Sequence, residues 1–148
     1  MEATAMDYQP QERRLPWHLF AVGALTFFWN AMCVMRFGAF QLGFFDAQAV
    51  AALQLTPFVA MPVAVTAFWA VSVWGGLLGS ALLMVRSKWA VQAFFVALIG
   101  LMGTSFYQFA LTPNPISIYD TPVNLAAWLI ALVSALYALR TQALGFLR

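Results

Sequence analysis

Four stretches of this chain carry no Asp, Glu, Lys or Arg: residues 16–35, 62–85, 89–111 and 122–139. Each has roughly the 20 residues that an α-helix needs to cross the hydrocarbon core of a bilayer. Inside lipid a segment must satisfy its own backbone hydrogen bonds, and a helix does so. The pattern predicts an all-α membrane protein, a four-transmembrane-helix bundle.

The signals at the ends of these stretches agree. Pro16 suits a first helical turn, where its missing N–H costs nothing. Arg36 closes the first span and Arg86 the second. Ser87 and Lys88 leave only a tight turn before the third span, so spans two and three form an antiparallel hairpin. Thr121 as N-cap, with Pro122 at the first helical position, opens the fourth span, which ends at Arg140. The expected organisation is an N-terminal segment 1–15, one transmembrane domain 16–140 and a tail 141–148. The apolar run from Leu15 to Met35 is too long for the apolar core of a signal peptide. It reads as a retained span.

Composition rules out the soluble alternative. Of 148 residues, 64% are hydrophobic and 8% charged, against roughly 25% charged in soluble domains. The net charge of +2 does not indicate nucleic acid, because placement explains the basic residues better. Arg13, Arg14, Arg86, Lys88, Arg140 and Arg148 fall on one side of a four-span topology. Arg36, Asp46 and Asp120 fall on the other. The positive-inside rule then places both termini in the cytoplasm.

The connection from Arg36 to Met61 is not an ordinary loop. Asp46 is a good N-cap for a short helix over "AQAVAALQL". With Phe37, Phe40, Phe44 and Phe45 nearby, the prediction is a short interfacial helix between the first two spans, with the phenylalanines dipped into the headgroup boundary.

Uncharged polar groups are few, and they gather near the outer ends of the spans. Together with the charges of that side they make one candidate site: Asn30, Arg36, Asp46, Tyr107, Gln108, Asp120 and Asn124. One reading is an outward-facing polar pocket. The other is that each group simply bonds a neighbouring helix, at about 0.6 kcal/mol apiece. Arg36 has Asp46 and Asp120 as possible ion-pair partners. A second candidate feature is a set of small residues, Gly75, Gly76, Gly79 and Ser80 in the second span with Gly100 and Gly103 in the third. Such residues let helix backbones approach closely, within the chain or across a dimer.

No span carries an acidic or basic side chain away from its ends, which removes the usual proton relays. His18 and Cys33 are single. Cys33 lacks a base, and no cluster suits a metal, so neither an enzyme nor a cofactor is expected.

The runs "PWHLFAVGALTFFWNAM" from Pro16 and "PVAVTAFWAVSVWGGLLGSALLMVRSKWA" from Pro62 carry a resemblance. Trp29-Asn30, Phe68-Trp69-Ala70, Val73 to Gly76, Gly79 and the Arg86 to Ala90 turn resemble an uncharacterised family of small four-helix bacterial inner-membrane proteins, sometimes labelled sugar transporters. The resemblance implies the same topology and no reaction. The chain departs from that family where Arg36 stands about where its members have Asp. The functional expectation is an accessory membrane subunit or homo-oligomer, with the lipid bilayer and a second copy or larger complex as partners. The alternative is a transporter or channel for a neutral or lipid-like molecule.

Overall fold

The computed structural model describes residues 17–53, 55–59, 61–111 and 122–147. The apolar stretches are helices: α1 Trp17–Gln41, α3 Val63–Met84, α4 Trp89–Phe106 and α5 Pro122–Ala143. A short α2, Ala47–Ala52, lies between α1 and α3. A single π-helical turn, Tyr107–Leu111, prolongs α4. The four long segments hold 22 to 25 residues each, or about 33–38 Å of helix at 1.5 Å per residue. That length crosses a hydrocarbon core of roughly 30 Å. The fold is an all-α four-helix bundle, and the chain is a multi-pass membrane protein.

Helix ends follow backbone chemistry more than charge. The spacing predicted that α1 would stop at Arg36, yet it runs on to Gln41. Arg is a good helix former, and the single Gly38 weakens the helix by only about 1 kcal/mol relative to Ala and does not end it. The stop is Gly43, at φ +71°. Its N–H donates to the Phe40 carbonyl and the Phe44 N–H to the Ala39 carbonyl, the paired bonds of a glycine C-cap. Gly145, at φ +75°, ends α5 in the same way, the last helical residue being Ala143, three beyond Arg140. At the end of α3 the left-handed position is taken by Arg86 at φ +64°, and its Nε donates to the Phe146 carbonyl at 3.1 Å.

Around the bundle the order is α1, α3, α4, α5, with extensive packing of α3 on α4 and of α1 on α3. Small residues make the α3–α4 contact possible. A Cβ at Gly100 would stand 2.6 Å from the Phe68 carbonyl oxygen and from the Ser72 nitrogen, both backbone atoms. A Cβ at Gly75 would meet Ala97 at 3.2 Å. Gly79 lies against the Phe94 ring, Gly103 against Phe68, and Gly76 against Asn30. Ser80 is fully buried and accepts a hydrogen bond from Asn30 Nδ2 at 3.2 Å. All six small residues are thus occupied by contacts inside one chain.

The apolar core sits at one end of the bundle, the end of the α3–α4 turn with Arg86 and Lys88. Leu19, Leu83, Ala90, Val91, Phe94, Ala135, Ala138 and Leu147 form it. His18 Nδ1 and the Tyr137 hydroxyl share a 2.6 Å hydrogen bond there, tying α1 to α5. This is the basic end of the bundle, and the opposite end, which carries α2, is the far end. Large apolar side chains cover the outside of the bundle, among them Leu25, Phe28 and Leu136, as a lipid-facing surface requires.

Candidate functional site: a polar cavity in the far half of the bundle

Each long helix turns one stripe toward a common space. On α1 the stripe is Trp29, Asn30, Cys33 and Arg36; on α3 it is Trp69, Ser72, Val73 and Gly76. Phe94, Ala97, Leu101, Thr104 and Ser105 continue it on α4, with Gln108 from the π turn. Val123, Asn124, Ala127, Ile130, Ala131 and Ser134 complete it on α5. These positions recur at the three- and four-residue spacing that lines one helix face. The space is a cavity of about 90 Å³. It exists because the facing side chains are short: Gly76, Ala97, Ala127 and Ala131 cannot reach across it.

Polar groups from different helices meet around this space. Asn124 Nδ2 donates to Gln108 Oε1 at 3.2 Å, and Trp128 Nε1 donates to Ser105 Oγ at 3.0 Å. Both bonds join α5 to α4. Asn30 Nδ2 also donates to the Thr26 carbonyl at 2.7 Å, so this amide is held on α1 and aimed at α3. Thr104 and Ser134 turn their hydroxyls back to carbonyls of their own helices. Gln108 is buried, and the π turn that carries it locally changes the helical register. Such turns are frequent at functional sites.

Arg36 is the one charged group on the wall among the described residues. It is half-buried, and its Nη2 donates to the Leu53 carbonyl, which fastens the end of α2 over the bundle. Its Nε is buried and makes no hydrogen bond among the described residues. Beside it Trp69 collects three rings: Phe58 at 4.2 Å, Phe37 at 4.8 Å and Phe40 at 5.7 Å between centroids. Phe37 and Phe40 therefore belong to α1 and pack on α3. They are not the headgroup anchors that the sequence suggested. Phe44 is exposed.

Of the seven residues grouped from sequence, Asn30, Arg36, Gln108 and Asn124 line the cavity. Tyr107 is half-buried in the π turn but is not part of the wall. Asp46 is exposed, and its Oδ1 accepts the Ala49 N–H at 2.7 Å, the N-cap bond of α2. It makes no ion pair with Arg36, which bonds Leu53 instead. Asp120 lies outside the described residues, as do the Pro16 and Thr121 helix starts. In the connection, Leu55 is the fully buried anchor, whereas Val50 is half-buried and Leu53 exposed.

Sequence reasoning missed Ser72, Ser134 and Trp69, and dismissed Cys33. The signal was present. Ser72 shares a helical face with Gly76, and Ser134 shares one with Asn124, Ala127 and Ala131. Cys33 and Arg36 stand three residues apart on one face of α1.

No protein-family model matches the chain, and no curated protein or solved structure is detectably similar to it.

Proposed function

We propose that the protein binds and passes a small lipid-like molecule, as a transporter or channel of the bacterial inner membrane with both termini in the cytoplasm. The cavity carries this reading: four helices present polar groups to one space at membrane depth. A bundle needing only stability would fill that stripe with large apolar side chains, since packing drives helix association in lipid. The cavity is far smaller than the roughly 300–1,000 Å³ clefts that enclose drug-sized ligands. A sugar is therefore a poor fit, and a headgroup with its tail outside is a better one. The orientation rests on the six basic residues that share one side.

The accessory-subunit or homo-oligomer reading drew on the small-residue faces. Those faces meet each other within the chain, which leaves that reading with less support. Nor is catalysis proposed: among the described residues no three His, Cys, Asp or Glu side chains cluster, and Cys33 has no base beside it.

Lipid extraction tests the proposal. Wild-type protein purified in a mild detergent should retain a stoichiometric amphiphile, and Ala131→Phe, which fills the cavity, should not. Equal amounts in both, or none in either, would count against it. A stable complex with a foreign membrane protein in the same preparation would favour the accessory reading.

A further inference from the structure

The chemistry around Arg36 narrows the class of molecule. Among the described residues Arg36 is the only charged residue on the cavity wall, and no carboxylate lines that wall. Among the described residues it forms no ion pair. One N–H of the guanidinium is used by the Leu53 carbonyl, while the buried Nε–H has no acceptor among the described residues. A cationic donor left unmet in an apolar setting is costly. The guanidinium presents a planar fork that matches the paired oxygens of a carboxylate or phosphate.

The shape adds a second constraint. A cavity of about 90 Å³ takes a small headgroup and not a long tail. The bundle wall is thinnest between α1 and α5, which both line the cavity yet barely touch. Among the described residues, the hydrogen bond that joins them, between His18 and Tyr137, closes the seam at the basic end. A tail can leave there into lipid, past a wall of small α5 residues, Ala127 and Ala131.

We propose that Arg36 is the headgroup receptor of this cavity, and that its ligand is a single-chain amphiphile bearing an oxyanion. The oxyanion is a carboxylate or a phosphate, seated on the Arg36 fork, with the tail running out between α1 and α5. The inference rests on the lipid-binding reading above and assigns its chemical class.

The test uses the full chain in an uncharged maltoside, which supplies no oxyanion. Binding of dodecanoate, dodecyl phosphate and dodecanol is read by native mass spectrometry, with acetate and inorganic phosphate as tail-free competitors. One dodecanoate or dodecyl phosphate should bind per chain, at least ten-fold tighter than dodecanol. Acetate and phosphate should compete only at concentrations a hundred-fold higher or more. In Arg36→Gln the preference over dodecanol should vanish, while in Arg140→Gln it should persist. The wild-type preference for the charged amphiphiles needs no variant, so a misfolded Arg36→Gln leaves the test standing. Equal binding of dodecanol and dodecanoate to the wild type would overturn the oxyanion assignment and leave the lipid-like reading intact. Competition by acetate or phosphate at the concentration of dodecanoate would overturn the amphiphile and point to a free anion. Binding of none of the five would overturn both readings.

Discussion

The two halves of the bundle are built from the same four helices and share hardly any design. At the basic end, Leu83, Ala90 and Ala138 are completely buried, and Phe94 and Ala135 nearly so. Large and small side chains alternate there and fill the space. At the far end the inward stripe holds Asn30, Arg36, Ser72, Gln108, Asn124 and Ser134, with alanines between them, and the centre is open. Lipid gives helices no hydrophobic reason to associate, so van der Waals packing must hold them. The basic end does that work through its core and the far end through the rings around Trp69. What lies between can be left unfilled.

Paired truncations should expose this division. Leu83→Ala removes a side chain packed on all sides and should cost about 2–5 kcal/mol. Leu101→Ala removes the same atoms from a wall that already faces empty space. It should cost less than about 2 kcal/mol, since fewer contacts are lost. Unfolding in mixed micelles by sodium dodecyl sulfate would measure both. Equal costs would mean that the two halves are packed alike.

Next in size is the helix contact that spans both halves. Gly100→Ala places a methyl group against the α3 backbone at Ser72 and Phe68. Backbone cannot step aside as a flexible side chain can, so a loss of about 1–3 kcal/mol is expected in the same titration. A neutral result would mean that α3 and α4 are not held at this spacing.

The smallest effect concerns the latch between α1 and α5. Tyr137→Phe deletes the bond to His18 and should cost only about 0.6 kcal/mol, the average for interhelical hydrogen bonds in membranes. The same variant should loosen the seam and speed ligand exchange. Unchanged exchange with the expected small stability loss would show that the seam is not the route.

Much of the fold was legible from the charge pattern, because lipid admits few alternatives to an apolar helix. The start of α4 at Trp89 and the bounds of α3 lie within one residue of the reading. The sequence reading ends α1 at Met35, six residues short of Gln41. There a charge was read as a terminator, although Gly43, the true stop, stood in plain view. That error had a further consequence. An Arg placed at a span boundary faces water, whereas an Arg one and a half turns inside a helix faces the bundle. Asn30, Gln108 and Asn124 were picked out as polar residues of one side. Ser72, Ser134 and Trp69 were not, because a serine or tryptophan in a span is unremarkable until the opposite wall is known. The π turn at Tyr107–Leu111 has no sequence signature and separates Gln108, inside, from Tyr107, outside the cavity.

The open far half is tested most directly at the chain's single cysteine. Cys33 lies on the cavity wall, half-buried and free. Its modification by a small charged methanethiosulfonate should proceed in the wild type. It should slow at least ten-fold in Ala131→Phe, where the ring fills the space before it. An unchanged rate in Ala131→Phe would contradict the cavity, because the reagent would then be reaching Cys33 by another path.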